Sequence, residues 1–301
     1  MNDMTNTYAV SLSPRRLRLT AVWVALACGL TVGCVPGMPA GNANGGGQAP
    51  PGNAGNTPAL TDGQRAAVND VVAELRGLGV TLAAMSDFDN QDTPPDAPAG
   101  TCPVKAATLE PGCFVLVTQD FGPACSGPRF GDAVISGTVT ECIVSAAGDR
   151  TPDLSGLVIN DVQIGGTAVF TVTPDTTDGG TRDATVDITT STTAAVQGDI
   201  VLDYDAATGV LNLLDATLTV TTGSAAYEIA VTAIDMDPAV TGTFMPVAGS
   251  VTFDVPPAGA IGDPAATIGV TFTAESPIDG VVGVTVAGGD AILHQIPGVA
   301  R

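Results

Sequence analysis

The sequence predicts an all-β domain, mainly antiparallel, that follows a single N-terminal helix. Apolar and polar residues alternate with a period of two along much of the chain, as they do where a sheet buries one face. Most acidic residues are Asp, which suits turns better than strands, and aromatic residues make up only 4% of the chain. The connections carry turn residues and not long helical segments. This disfavours parallel βαβ units and leaves an antiparallel meander that forms a sandwich or a curved or closed sheet.

Residues 1–33 have the pattern of a bacterial export signal. Arg15, Arg16 and Arg18 precede an apolar run, residues 19–32, that is shorter than the roughly 20 residues of a membrane-spanning helix. A twin-arginine export route is the less favoured variant, because Arg18 stands where that signal has an apolar residue. We therefore predict a cleaved signal peptide.

The end of this run, residues 30–34 (LTVGC), resembles the bacterial lipobox. In a lipobox, a small residue precedes a cysteine that is diacylated and becomes the new N-terminus, so Cys34 is the predicted lipid-attachment site. Cys28 is a poorer candidate because it shortens the apolar run. The alternative is ordinary secretion with cleavage near Ala40 and no lipid. In a cell with two membranes, Val35 in place of Asp favours the outer membrane.

Residues 34–60 are rich in Gly, Pro, Asn and Ala and carry no charge, a composition that predicts a disordered tether. Residues 61–301 are then one β-rich domain, long enough to bury one core. The formal net charge is −21, and there is no Lys or Arg between residues 183 and 300. Such a chain does not bind nucleic acid through its phosphates. We interpret the acidic surface as solubilising, with cation binding as the alternative.

Residues 61–86 are predicted to form the one long helix. Thr61 and Gln64 make a capping box at its start. Gly77 and Gly79 are expected to weaken or end it, although residues 80–85 could continue the helix. Five apolar residues recur at helical spacing and form one face: Val68, Val71, Val72, Leu75 and Leu78.

An Asp-rich and Pro-rich loop follows the helix. Its Asp87, Asp89 and Asp92 loosely match a calcium loop, but the glycine and the distal Glu of an EF-hand are missing. We predict a solvated loop there and no metal site.

Four further cysteines are clustered and even in number, so an exported chain is expected to form two disulfides. A zinc site would need closer pairs. Three connectivities are possible. A chain reversal near Gly127 would bring Cys113 opposite Cys142, which leaves Cys102 to pair with Cys125.

Strands and hairpins are predicted from residue 102 onward. Turn residues connect apolar runs at residues 204–209, 222–225, 276–280 and 288–289. Four segments alternate most clearly, with these aliphatic positions on one face: Ala168, Phe170, Val172; Ala184, Val186, Ile188; Ala216, Leu218, Val220; Ile268, Val270, Phe272.

Three short runs follow one another in a recognisable order: residues 102–104 (CPV), 120–125 (DFGPAC) and 135–139 (ISGTV). This order resembles a pattern in uncharacterised exported bacterial lipoproteins, in which a C-P-x-V strand and a D-F-G-x-x-C turn precede an S-G-x-[IV] strand. Residues 245–253 and 270–286 are more loosely similar. The resemblance implies a β-rich cell-envelope protein and brings no established activity. We interpret the Asp-Phe-Gly run as a turn at a strand end.

The residues for enzymatic chemistry are largely missing, so no enzyme activity and no cofactor are predicted. His294 is the only histidine, which leaves a triad or a histidine metal site without partners. Period two puts it on one face with Ile292 and Ile296 in the final strand, where a packing role is expected.

Paired carboxylates could also cleave glycosides. The pairs Asp203/Asp205 and Asp235/Asp237 are candidates for such an activity, although each lies where Asp normally marks a turn.

The sequence thus predicts an exported protein, lipid-anchored to a bacterial membrane, with an acidic β-rich binding or structural domain. Its partner, protein or glycan, is not specified. The alternative is a carrier whose sheet encloses an apolar ligand. A filled core favours the binding domain, and an enclosed cavity above about 300 Å³ favours the carrier.

Overall fold

The fold is one antiparallel sheet of 14 strands around a single long helix. The computed structural model describes residues 59–85, 102–145, 149–172, 182–190, 194–205, 210–223, 225–256 and 265–299. All of them belong to one compact unit, Ala54–Arg301. The predicted fold class, all-β with an N-terminal helix, is confirmed.

The long helix, α1, spans Asp62–Met85. Three short helical segments are a 3₁₀ turn at Pro128–Phe130, α2 at Pro238–Thr241 and α3 at Ser276–Asp279. The strands are β1 Val104–Thr108, β2 Val115–Cys125, β3 Ile135–Ile143, β4 Arg150–Asp153, β5 Leu157–Ile159, β6 Val162–Val172, β7 Arg182–Thr190, β8 Ala194–Asp205, β9 Val210–Thr222, β10 Ala225–Met236, β11 Ala248–Val255, β12 Ala266–Thr271, β13 Val281–Val286 and β14 Ile292–Gln295.

The sheet is a meander in which neighbouring strands follow one another along the chain, except that β5 pairs with β3 and β6. Of the predicted architectures, the strongly curved single sheet is the one found. Strands far apart in the sheet reach the same helix. Thr222 of β9 donates to Asp70 of α1 at 3.2 Å, and His294 of β14 contacts Asn69 of α1 at 2.9 Å.

The start of α1 has the predicted capping box. The backbone N–H of Thr61 donates to Gln64 Oε1 at 3.0 Å, and the N–H of Gln64 donates to Thr61 Oγ1 at 3.2 Å. From Leu78 to Met85 every residue is buried. A helix segment that is buried on all sides belongs to the interior, so the last eight residues of α1 lie within the core.

The helix continues through Gly77 and Gly79 to Met85, so the expectation that they end it is wrong and the alternative, in which residues 80–85 continue the helix, is confirmed. The reason at Gly79 is close packing. A Cβ there would lie 2.6 Å from Met236 Sδ and 2.9 Å from Phe244 Cδ1, so only glycine lets these side chains approach the helix. At Gly77, a Cβ would meet no atom within 4 Å.

The predicted alternation is confirmed along the strands. The outward positions between the buried residues carry mainly Thr and Asp, as on a sheet with one wet face. The inward positions that are buried include Ala168, Phe170, Ala184, Val186, Ile188, Ala216, Leu218, Val220, Ile268, Val270 and Phe272.

Two predicted turns differ from the structure. The Asp-Phe-Gly run lies inside β2 and forms a bulge, where Gly122 has φ +65° and its N–H donates to Asp120 Oδ1 at 2.8 Å. Residues 276–280 form the helical turn α3 instead of a plain hairpin turn. Pro277 near its start and the left-handed Gly280 at its end favour that conformation.

Two loops meet over the middle of α1. Arg76 Nη2 donates to Thr243 Oγ1 at 3.2 Å and lies 3.7 Å from the carboxylate of Asp132. A Cβ at Gly131 would lie 3.0 Å from the Thr243 backbone. The loop after β2 therefore packs directly on the loop after β10, next to Arg76 of the helix.

Candidate functional site

A groove of about 210 Å³ lies between one side of α1 and residues 159–196, which span β5–β8. The helix presents small residues on this side, Ala73 and Gly77, and these leave space beside the buried aliphatic side chains of the strands. The groove is lined by Ala73, Glu74, Gly77, Leu78, Thr81, Ile159, Asn160, Val162, Ile164, Ile188, Thr190, Ala195 and Val196.

Glu74 is the charged residue of this groove. Burial raises the pKa of the Glu74 carboxyl, and the neighbouring Asp70 raises it further. Two other polar side chains there have partners: Thr81 Oγ1 donates to the Gly77 carbonyl at 2.8 Å, and Asn160 Oδ1 accepts from the Val134 N–H at 2.8 Å. Within the described part of the chain, no cation contacts Glu74.

A second hollow, of about 370 Å³, lies on the outer face of β6–β9. Asp183, Asp199 and Asp215 are exposed on three successive strands around it. Thr185 Oγ1 donates to Asp199 Oδ1 at 2.8 Å, which orients that carboxylate. The hollow is therefore a negatively charged, hydrogen-bonding surface, and no Lys or Arg occurs in the sequence between residues 183 and 300.

A buried polar cluster lies on the inner face of β2–β4, at the C-terminal end of α1. Glu141 accepts from Gln119 Nε2 at 2.7 Å and from Arg150 Nη1 at 3.2 Å. Gln119 Nε2 also lies 3.5 Å from the carbonyl of Met85, the last residue of α1. The Gln119 amide therefore approaches one of the helix-end carbonyls that have no partner within the helix. Burial raises the pKa of Glu141, while Arg150 opposes that shift.

Lys105, the only lysine of the chain, lies next to this cluster on β1. It pairs directly with Gln119, so both side chains are on the inner face. Burial and the charges of Arg129 and Arg150 lower the pKa of Lys105 to about 8, although Glu141 opposes the shift. A lysine with such a pKa is partly neutral near pH 8, which makes its amine more reactive than usual.

His294 lies on β14 and links that end strand to α1 through Asn69. Burial lowers the pKa of His294, and the positive charge of Arg65 lowers it further. Ile292 and His294 are half-buried while Leu293 is exposed, as the period-two argument predicts. The hydrogen-bond partner of the His294 ring is the Asn69 side chain.

The cysteines are joined as Cys102–Cys125 and Cys113–Cys142, with Cα–Cα distances of 5.7 and 5.3 Å. This is the connectivity that the chain reversal near Gly127 predicts. Both disulfides lie in the β1–β3 region, and each closes a hairpin against its neighbouring strand.

The remaining predicted residues have different outcomes. Cys34 and the calcium candidates Asp87, Asp89 and Asp92 lie outside the described residues, as do the signal peptide and nearly all of the tether.

The candidate carboxylate pairs do not form one site. Asp237 caps α2 by accepting from the Val240 N–H at 3.1 Å. Asp203 and Asp235 both pair with Asn212 of β9, one from each side, so a whole strand separates them.

Sequence reasoning missed the groove and the buried cluster. The cluster could have been found from the sequence, because Gln119 and Glu141 alternate with the outward positions of their strands and stand between apolar residues on the buried face. The groove had no such signal, since it combines a helix with strands more than 75 residues further along the chain.

No described helix is long and apolar enough to cross a membrane. In the same part of the chain, no three His, Cys, Asp or Glu side chains are grouped so that they could hold a metal ion. No protein-family model matches the chain, and no characterised protein or solved structure shows significant similarity to it.

Proposed function

We propose that this protein is exported, lipid-anchored through Cys34, and presents its β domain outside the membrane as a binding domain. The leader and the Gly33-Cys34 pair support the anchor. Two disulfides support an oxidising compartment, because such bonds are rare in reducing cytoplasm. The resemblance to exported lipoproteins points the same way. In a diderm cell the outer membrane is the expected location.

The observation that carries the choice of a binding domain is the filled interior of the sheet. The second half of α1 occupies the concave face, and its residues from Leu78 to Met85 are buried. The space left between helix and sheet is about 210 Å³ at the groove, less than the roughly 300–1,000 Å³ of pockets that enclose a drug-sized ligand. A carrier that encloses a large apolar ligand is therefore the less favoured function.

The outer hollow on β6–β9 is the surface proposed for docking. Its carboxylates are exposed, and the sequence has no lysine or arginine between residues 183 and 300. A partner with positive charge would therefore be electrostatically complementary to this surface. We propose a partner that carries positive charge, such as a basic segment of another envelope protein.

The anchor is tested by feeding labelled palmitate to cells that produce the full chain. The label is expected in the unmodified protein and in Cys28→Ala, and its loss is expected in Cys34→Ala. An unmodified mature N-terminus downstream of Cys34 would instead establish ordinary secretion.

The docking surface is tested by titrating the full chain with an oligolysine peptide. Asp183→Asn, Asp199→Asn and Asp215→Asn together are expected to weaken binding at least about tenfold. The matched control, Asp254→Asn with Glu275→Gln and Asp290→Asn, removes the same charge from other exposed positions. Equal weakening by both sets would mean that only net charge matters, and the docking surface would be wrong.

A further inference from the structure

The groove between α1 and β5–β8 combines two features that differ in character. Its walls are aliphatic, with Ile159, Ile164 and Ile188 facing the helix. Its floor is open, because a side chain at Gly77 would meet no atom within 4 Å. Apolar surface that faces such a hollow lacks the packing contacts that the rest of the core makes, so an apolar group placed there gains them.

Glu74 gives the groove a charged end. Its carboxyl is half-buried, and Asp70 lies one helical turn away. Asp70 accepts a hydrogen bond from Thr222, whereas Glu74 forms no hydrogen bond or ion pair with any described residue. A carboxylate that is partly removed from water and faces a second acid is stabilised by a cation.

The two features together select a ligand chemistry. A cationic head would neutralise Glu74, and an apolar body would fill the space beside Gly77. Anionic ligands are disfavoured at this site by Glu74 and Asp70, and in solution by the net charge of −21. The volume of about 210 Å³ limits the buried body to a short chain or a single ring.

We infer that this groove is a binding site for a small primary amine with an apolar body, whose ammonium group pairs with Glu74 while its body lies over Gly77. The site uses the inner side of the sheet, so it is separate from the outer hollow and independent of the lipid anchor. A non-specific packing gap would bind apolar molecules regardless of their charge. A dependence of affinity on ligand charge therefore distinguishes the proposed amine site from such a gap.

The test measures the affinity of the full chain for n-hexylamine, hexan-1-ol and hexanoate by calorimetric titration. Hexylamine is expected to bind about tenfold more tightly than hexan-1-ol, because only the ammonium group forms an ion pair with the Glu74 carboxylate. Hexanoate is expected to bind more weakly than either. Equal affinities for hexylamine and hexan-1-ol would overturn the proposal.

Two variants separate head and body recognition. Glu74→Gln keeps the shape of the side chain and is expected to lower hexylamine affinity about tenfold without changing that of hexan-1-ol. Gly77→Leu fills the groove and is expected to abolish binding of both. Ala66→Leu changes an exposed residue on the same helix outside the groove and should leave affinities unchanged.

The folded state of each variant is checked by circular dichroism. If Gly77→Leu does not fold, Glu74→Gln decides the matter alone. Unchanged hexylamine affinity in folded Glu74→Gln, or in folded Gly77→Leu, would contradict the site. Neither result bears on palmitate labelling or on oligolysine binding, so the proposed function stands or falls separately.

Discussion

Two regions of one sheet are held together by different interactions. Strands β1–β4, here the polar arm, bury Gln119, Glu141 and Arg150 and carry both disulfides. Strands β8–β11, here the aliphatic arm, contain no buried charged or amide side chain among their described residues and no disulfide, although the Tyr204 hydroxyl is buried there. The aliphatic arm is stabilised by burial of apolar surface, at about 25 cal/mol per Å². In the polar arm, part of that surface is replaced by charges that must be paired, and covalent links restrict the unfolded chain.

The largest effect is expected from removing the carboxylate of the buried pair. Glu141→Gln removes the carboxylate charge that pairs with Arg150 at 3.2 Å and should lower the free energy of unfolding by about 3–5 kcal/mol. The matched change on the aliphatic arm is Glu228→Gln, at an exposed position, where the expected change is within about 0.5 kcal/mol. Urea denaturation of both variants measures the difference. Similar small changes in both would mean that the buried pair does not stabilise the polar arm.

Removal of the Cys113–Cys142 disulfide should have the next largest effect. Replacement of both cysteines by Ser should destabilise the domain by about 2–4 kcal/mol, because the unfolded chain regains the freedom of the closed loop. The thermal midpoint of the double variant, compared with that of the oxidised parent, gives the result. A midpoint that does not fall would show that β2 and β3 need no covalent link.

Gly77 and Gly79 of α1 test packing on the aliphatic arm. Gly79→Ala should destabilise the domain by about 1–3 kcal/mol, since its Cβ would displace Met236 and Phe244. Gly77→Ala meets open space and should stabilise the helix by up to about 1 kcal/mol. Denaturation midpoints that move in opposite directions are the expected outcome. Stabilisation by both substitutions would mean that helix propensity, and not packing on Met236, decides, and destabilisation by both would mean that the site of Gly77 is not open.

The smallest effect concerns the ionisation of Lys105. Its pKa of about 8 in the folded state is below the ordinary value of 10.5, so the folded protein binds fewer protons between these pH values. Its contribution to stability therefore rises as pH increases from about 8 to 10.5, because the cost of burying a charged amine disappears.

The measurement is the rate of acylation of the single lysine as a function of pH, with the modified peptide identified by mass spectrometry. We expect a midpoint near pH 8. Glu141→Gln should move it lower, because Glu141 raises the pKa of Lys105. A midpoint at the ordinary lysine value would place the amine in solvent.

Local patterns were sufficient to predict much of this fold. The capping box at Thr61 and the period-two strands depend on residues that are close in sequence. The disulfide pairing needed only one chain reversal near Gly127. The same local reasoning failed at Gly79, where the deciding atoms come from Met236 and Phe244, more than 150 residues away.

The candidate site was less predictable for the same reason. The alternation along β3 predicts that Glu141 lies on the buried face. Its partner Arg150 is identified only by the pairing of β3 with β4. The groove requires knowing that a sheet of this length curves around α1, so that residues such as Ile188 come to face Gly77. Alternation of apolar residues specifies which face is buried and not how strongly the sheet bends.

Native-state hydrogen exchange before and after disulfide reduction tests most directly whether the two arms are held by different interactions. We expect reduction to lower the protection of amides in β1–β3, while amides in β8–β10 keep theirs under the same mild conditions. The Cys113→Ser/Cys142→Ser variant, measured without reductant, should reproduce the loss in β2 and β3. An equal loss of protection in both arms would contradict the account, since the whole sheet would then depend on the disulfides.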